Sequence, residues 1–136
     1  MQRLYGIVIP LVTPLTEDDK IDVESLKRLT DYCIEGGMTA LYPCGTTGEM
    51  MYLTVEERKQ VAEVVVKQAA GRVPVFVHVG AWNQADTIEL AQHAEKIGAD
   101  GIGVVTPVFY AISDAGLVDF YTAVANSVSK DFPVYM

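Results

Sequence analysis

The chain has few cysteines and histidines, the side chains that bind zinc and other transition metals. It contains two cysteines, two histidines and one tryptophan among 136 residues. Cys33 and Cys44 form no metal-binding or redox spacing, which is typical of intracellular thiols. His78 and His93 are isolated from each other, and His78 lies in a valine-rich run, which favours a packed side chain over a ligand. We therefore expect no metal site.

Positive charge is also scarce. The 10 lysines and arginines are outnumbered by 18 aspartates and glutamates, which gives a net charge of −8. An acidic chain is repelled by nucleic-acid backbones and by anionic membrane surfaces. No stretch of about 18 apolar residues is present, and the N-terminus lacks the basic, apolar and small-residue order of a signal peptide. We expect a cytoplasmic protein with no nucleic-acid partner and no membrane partner.

What the sequence does contain is a repeated strand–helix unit. Apolar runs begin roughly every 30 residues, and each gap between them has helical periodicity. The runs are rich in Val and Ile rather than alternating, which predicts a parallel sheet covered on both faces. This pattern predicts a single α/β domain over residues 1–136. The predicted strands are residues 6–12, 39–44, 73–79, 101–105 and 132–136.

Capping signals mark the four predicted helices. Thr54 and Glu57 have the spacing of a capping box, in which each side chain satisfies the other residue's backbone N–H. The other predicted N-caps are Asp22, Asn83 and Ser113. The predicted left-handed helix ends are Gly36-Gly37, Gly71 and Gly98. Four residues of the first helix share one predicted apolar face: Leu26, Leu29, Tyr32 and Cys33.

The spacing of these units fits two architectures. A (β/α)₈ barrel uses about 31 residues per unit, so four units and a fifth strand fit this length. A doubly wound open sheet has similar units and stays open as an alternative at this point. The first strand is followed by Val12-Thr13-Pro14-Leu15 and not by the G-x-G-x-x-G pattern of dinucleotide-binding sheets.

The strongest local signal is Cys-Gly-Thr-Thr-Gly-Glu at residues 44–49, where a predicted strand passes to a capped helix. Gly45 and Gly48 permit a positive φ and a close approach of the backbone to a ligand. Thr46 and Thr47 add hydroxyls and N–H groups, which suit the carboxylate and keto oxygen of a small acid. A plain β–α turn is the alternative, because such turns also favour glycine.

Three segments that follow predicted strands carry a family resemblance together. They are Val12-Thr13-Pro14, the Gly-Thr-Thr-Gly-Glu of residues 45–49, and Val105-Thr106-Pro107. With them the chain resembles the dihydrodipicolinate synthase / N-acetylneuraminate lyase family of pyruvate-dependent aldolases over essentially its whole length. The segment His78-Val79-Gly80-Ala81 is also similar and leans towards the lyase branch.

The resemblance implies a fold, a chemistry and a site. Such enzymes are (β/α)₈ barrels without a metal or an organic cofactor, so this chain would be the N-terminal half of a barrel. Their catalytic lysine forms a Schiff base with pyruvate or another 2-oxo acid, and the imine serves as an electron sink for C–C bond making or breaking. By resemblance, Gly45, Thr46, Thr47 and Gly48 bind the substrate. Thr46 and Thr47 would hold the carboxylate, and Thr46 would also join a hydroxyl relay for protons.

The sequence departs from the family pattern in two places. The relay tyrosine is expected two residues after the Thr-Pro of the fourth strand, but that residue is Phe109. Tyr110 is the candidate catalytic replacement, with simple packing or a subunit contact as the alternative. The Schiff-base lysine is expected beyond Met136, so we expect the 136-residue chain alone to be inactive. The lysines that cannot replace it are Lys20, Lys27, Lys59, Lys67, Lys96 and Lys130.

Two other functions stay open from sequence. One is a non-catalytic α/β binding or assembly module with the same ancestry, and the other is a flavodoxin-like domain that binds FMN or phosphate at residues 45–49. Five strands of a barrel cannot close on their own, so the first and last strands would be exposed edges. Inward-facing Val and Ile side chains of runs 6–12, 73–79 and 101–105 would lack partners, and their burial is favourable. We therefore expect a homo-oligomer.

Overall fold

Strands and helices alternate along the whole chain in the computed structural model, which describes residues 6–107 and 110–136. Each strand lies inside a predicted apolar run but is shorter than the run, because the registered parallel pairs cover only part of each one. The strands are β1 (Val8–Pro10), β2 (Ala40–Tyr42), β3 (Phe76–His78), β4 (Gly101–Gly103) and β5 (Val134–Tyr135). The helices are α1 (Val23–Glu35), α2 (Val55–Ala69), α3 (Gln84–Lys96) and α4 (Asp114–Asn126).

The strands pair in the order in which they occur in the chain. β1 pairs with β2, β3 with β4, and β4 with β5, and every pairing is parallel. A parallel bridge between Leu41 and Val75 joins β2 to β3. The His78 N–H also donates to the Pro43 carbonyl at 3.0 Å, which extends this contact along both strands. A doubly wound sheet reverses its strand order at a switch point, so this sequential order confirms the barrel-type prediction.

The helix boundaries follow the predicted capping residues. The side chains of Asp22, Thr54, Asn83 and Ser113 each accept a backbone N–H in the first turn, and Thr54 forms the complete capping box with Glu57. Glycine in the left-handed conformation follows three of the helices, at Gly37, Gly71 and Gly98. Two details differ from prediction: Gly36 stays right-handed, and α2 leaves through Ala70, which has φ 48°. Among the described residues, no helix is long and apolar enough to span a bilayer.

One layer of the core lies between the sheet and the helices. Leu41, Val75, Val77 and Ile102 alternate along the strands with residues of the opposite sheet face, and all four are buried. They pack against buried helix residues such as Leu26, Val61, Val65, Leu90 and Phe120. The β-branched residues of the central strands therefore face the helices.

The other sheet face, here called the inner face, is built differently. Phe76 and His78 are buried there. A Cβ on Gly101 would lie 2.5 Å from the Phe76 ring, and one on Gly103 would overlap the Tyr42 hydroxyl. Aromatic side chains of β2 and β3 thus occupy the space that side chains on β4 would need. The expected loss of partners by inward Val and Ile side chains is therefore wrong for β3 and β4, whereas Val8 of β1 is exposed as expected.

The prediction that Tyr32 shares the apolar face of α1 is also wrong. Its side chain is 75% exposed. The buried stripe of α1 runs through Leu26, Thr30 and Cys33, with the i, i+4, i+7 spacing of one helix face. Tyr32 lies two residues after Thr30, or about 200° around the helix, and therefore points away from the core.

Candidate site at the carboxyl end of β2

The loop between β2 and α2 carries the residues that the sequence singles out. Gly45 and Gly48 are buried, while Thr46 and Thr47 are exposed. The loop folds back on itself, because the N–H of Glu49 donates to the Thr46 carbonyl at 3.0 Å. The four predicted substrate-binding residues therefore form one turn at the carboxyl edge of the sheet. In (β/α)₈ barrels the active site lies at this edge.

The positive φ predicted for the two glycines is wrong, whereas the predicted close approach of their backbone to a ligand stays a prediction. Neither Gly45 nor Gly48 has a positive φ; the left-handed residues are Cys44 at φ 63° and Glu49 at φ 60°, which flank the turn. Gly48 is needed for space, because a Cβ there would lie 3.0 Å from the Leu11 carbonyl oxygen and 3.2 Å from the Cys44 nitrogen. The turn is thus packed against the backbone below it, and two strained residues mark its ends.

A threonine from the neighbouring loop fixes the turn from one side. Thr13 is buried and follows β1, and its hydroxyl donates to the Gly48 carbonyl at 2.8 Å. This bond crosses from the loop after β1 to the loop after β2. It gives a structural reason for the threonine of the Val12-Thr13-Pro14 segment.

The turn presents several hydrogen-bonding groups together. Among the described residues, the N–H groups of Thr46, Thr47 and Gly48 have no protein acceptor, and neither threonine hydroxyl has a protein partner. Backbone N–H groups and hydroxyls held in one place are suitable donors for a small carboxylate. The arrangement can therefore bind an anion without a charged side chain in the turn.

The cysteine before the turn is not a nucleophile. Cys44 is fully buried, and burial raises the pKa of its thiol to about 11. The thiol donates to the Arg58 carbonyl, with Sγ at 3.5 Å. Because the thiolate is the reactive form of cysteine, Cys44 is protonated and unreactive at neutral pH.

His78 packs under the same turn, which confirms that it is a packed residue. Burial, and next the charge of Arg58, lowers the pKa of His78 to about 4, so its ring is neutral at pH 7. Its Nδ1 lies 3.1 Å from the Cys44 carbonyl oxygen. A carbonyl can only accept, so this neutral ring carries its proton on Nδ1 and donates. The ring also contacts Tyr42 edge-on, with centroids 5.9 Å apart.

Sequence reasoning missed Arg58, a buried charged residue beside His78. Its guanidinium donates to the carbonyl oxygens of His78 at 2.8 Å and Gly80 at 2.9 Å. The signal that could have found it is its position in the first turn of α2, directly after the capping box. A cation is unfavourable there because of the helix dipole, so an arginine at that position needs other partners.

The sequence also singles out the segment after β4. Phe109 is outside the described residues. Tyr110 comes directly after it and is 79% exposed. The catalytic role of Tyr110 stays a prediction. In the same part of the chain, no group of three or more His, Cys, Asp and Glu side chains could hold a metal ion.

The described lysines lie in helices and loops outside the turn itself. Lys27, Lys59, Lys67 and Lys96 lie in helices, as predicted. Lys59 pairs with Glu56 at 2.8 Å and with Glu89 at 2.5 Å. Lys20 lies in the loop after β1 and pairs with Asp18 at 2.6 Å. The ion pairs of Lys20 and Lys59 do not involve Thr46 or Thr47.

Parallel strands in sequential order, helices on one face and an open turn at the carboxyl edge define part of a (β/α)₈-barrel protein. Comparison with known proteins gives the family. A family model for the dihydrodipicolinate synthetase family matches residues 3–136, and the chain belongs to that family.

Sequence relatives agree with this assignment. The chain is 42% identical over 132 residues to a 4-hydroxy-tetrahydrodipicolinate synthase from Brucella abortus, covering 97% of this chain and 45% of the relative. It is 47% identical over 121 residues to the synthase of the same name from Jannaschia, covering 89% of this chain and 41% of the relative. The chain therefore spans less than half the length of the relatives it matches.

Solved structures show the same partial overlap. The prophage protein YagE from Escherichia coli, a member of the dihydrodipicolinic acid synthase family in complex with pyruvate, superposes with a TM-score of 0.91 at 39% identity. That match covers 95% of this chain and 43% of YagE. The N-acetylneuraminate lyase of Proteus mirabilis superposes with a TM-score of 0.92 at 33% identity, covering 98% of this chain and 45% of the lyase. The described strands and helices thus form about half of a barrel.

Proposed function

We propose that this chain supplies the oxo-acid-binding part of a pyruvate-dependent class I aldolase of the dihydrodipicolinate synthase or N-acetylneuraminate lyase type. The observation that carries the proposal is the turn after β2, where the N–H groups of Thr46, Thr47 and Gly48 and both threonine hydroxyls have no protein partner among the described residues. The pyruvate bound by the related YagE supports the choice of substrate.

In this proposal the carboxylate of pyruvate accepts hydrogen bonds from Thr46 and Thr47. Thr46 also passes protons to and from the reacting lysine, with Tyr110 as the next hydroxyl of the relay. The lysine amine attacks the keto carbon, and the keto oxygen leaves as water after it has gained two protons. Imine formation therefore needs positioned proton donors and acceptors near neutral pH.

The nucleophilic lysine belongs, in this proposal, to the part of the relatives' length that the 136 residues do not span. Lys20 is the lysine in a loop at the carboxyl edge, and Asp18 holds it in an exposed ion pair. We therefore expect borohydride reduction with pyruvate to leave the mass of the 136-residue chain unchanged. A longer polypeptide that carries this sequence should gain the mass of one reduced pyruvate adduct.

Steady-state kinetics of the longer polypeptide test Thr46 directly. In the longer polypeptide, Thr46→Val should lower kcat by about a hundredfold, as expected for loss of a general acid–base group, and should change KM less. Thr122→Val is the matched control, because Thr122 is an exposed residue of α4. Equal turnover in the Thr46 variant and the control would remove Thr46 from the mechanism. A stable adduct on a lysine of the 136-residue chain would show that the nucleophile is misplaced.

A further inference from the structure

Three buried side chains lie under the turn and have no part in the chemistry proposed above. The exposed fractions of Cys44, Arg58 and His78 are 0%, 4% and 5%. They come from the end of β2, the first turn of α2 and the end of β3. The two ends of the loop that carries Thr46 and Thr47 are therefore both in contact with β3.

The first contact concerns the backbone of Cys44. The φ of Cys44 is 63°, in the left-handed region. A residue with a Cβ adopts this conformation only when the surrounding structure holds it there. The Nδ1–H of His78 donates to the Cys44 carbonyl at 3.1 Å. Because a peptide group is planar, this bond also fixes the N–H of Gly45, one residue before Thr46.

The second contact concerns the position of His78 itself. Arg58 binds the carbonyl oxygens of His78 and Gly80 with its two terminal nitrogens. Its Nε is a buried side-chain nitrogen without a hydrogen-bond partner among the described residues. The two terminal nitrogens of the guanidinium thus bind the end of β3, while its Nε donates to no group of the described residues. The backbone carbonyl of Arg58 also accepts a hydrogen bond from the Cys44 thiol. This bond links the first turn of α2 to the end of β2.

We infer that His78 is a positioning residue for oxo-acid binding. Its Nδ1–H holds the Cys44–Gly45 peptide in the orientation that leaves the N–H groups of Thr46 and Thr47 open to a carboxylate, and Arg58 keeps His78 in place. This inference rests on the proposed function, because it assigns His78 to the same site. The low pKa of His78 agrees with it, since a protonated ring would stand beside the Arg58 charge.

A purely structural role for the ring would predict a different response to substitution. If His78 only filled space beside Tyr42, asparagine and glutamine would be similarly poor replacements. If the Nδ1–H is what matters, asparagine should substitute, because its side-chain nitrogen occupies nearly the position of Nδ1. Glutamine places its nitrogen near the position of Nε2 and should fail. His78→Asn and His78→Gln therefore form a matched pair.

The experiment uses the longer polypeptide with pyruvate. We expect His78→Gln to raise KM for pyruvate about tenfold, which corresponds to loss of one buried hydrogen bond. His78→Asn should stay within about twofold of the native value. His93→Gln is the control, because His93 pairs with Glu63 on the helix surface away from the turn. Nitrogen-15 NMR of the histidine ring supplies a second readout, and the proton should be found on Nδ1 of His78.

The outcomes separate the two proposals. If the native polypeptide forms the pyruvate adduct but the Asn and Gln variants have equal KM, the positioning role is overturned and the proposed function stands. If the native polypeptide forms no adduct, the proposed function fails, and the positioning role fails with it. If the Gln variant does not fold, the ring measurement decides, because a proton on Nε2 would contradict the bond to Cys44.

Discussion

The central strands and the outer strands of the described sheet differ sharply in burial. All residues of β3 and β4 are buried, whereas β1 exposes Val8 and Pro10 and β5 exposes Tyr135. The central strands have a paired neighbour on both sides, and each outer strand has one on a single side. Ile7, immediately before β1, is 56% exposed, and Ile102 in β4 is fully buried.

This difference shows where the free energy of folding is concentrated. The helix-facing core and the inner face are both well packed over β2, β3 and β4, and the candidate turn is anchored to this region through Cys44, Arg58 and His78. The outer strands keep unpaired N–H and C=O groups along one edge, as sheet edges do. The candidate site thus lies on the most deeply buried part of the described sheet.

The largest expected effect compares two isoleucines. Ile102→Ala should lower the free energy of unfolding by about 2–5 kcal/mol, because it opens a cavity in a packed core. Ile7→Ala should change it by less than about 0.5 kcal/mol, as for a surface residue. Urea unfolding of both variants measures the difference. Equal losses would show that the edge of β1 is covered in solution, and the comparison would no longer hold.

A second effect concerns pH and again singles out the centre of the sheet. The pKa of His78 is about 4 in the folded chain, against an ordinary value of 6.5. Between these values the unfolded chain binds a proton that the folded chain excludes, so stability is fully present above pH 6.5 and is lost as the pH falls towards 4. The contribution is about 3 kcal/mol.

Urea unfolding of the native chain and of His78→Asn between pH 7 and pH 4 measures this contribution. The carboxylates titrate in both proteins, so their effect cancels in the difference. The native chain should lose more stability than the variant as the pH falls. Parallel curves would mean that His78 is protonated in the folded state or is not buried.

The smallest effect on folding is expected at the outer edge, where self-association is proposed. Val8→Lys should change the free energy of unfolding by less than about 0.5 kcal/mol at low protein concentration. If a second copy covers this edge, light scattering of the native chain should give a mass above the monomer's 14.8 kDa. The lysine variant should then be nearer the monomer, because an edge lysine opposes strand pairing. A native monomer with concentration-independent unfolding would contradict self-association.

Local signals allowed the sequence to predict much of this structure. The caps at Asp22, Thr54, Asn83 and Ser113 were correct because a cap depends on residues within one turn of itself. The sequential strand order agreed with the family resemblance. The position of the turn at residues 45–48 was also predicted correctly, because the apolar run of β2 precedes it and the capping box of α2 follows it.

The remaining features depend on contacts between residues far apart in the chain. The fork of Arg58 on β3 spans 20 and 22 residues, and the bond of His78 to Cys44 spans 34. No short motif encodes such distances. The left-handed Cys44 was missed because glycine is the usual residue there, and the neighbouring Gly45 took that role in the prediction. The exposure of Tyr32 depends on how α1 rotates against its neighbours.

The buried thiol of Cys44 can report how often the candidate site opens. Its high pKa and complete burial protect it while β2, α2 and β3 remain together. An alkylating reagent therefore reaches the sulfur only during the brief intervals in which those elements separate, and the rate of modification counts these openings. Without any added label, the chain thus carries a probe of local opening one residue before the turn that would hold the substrate.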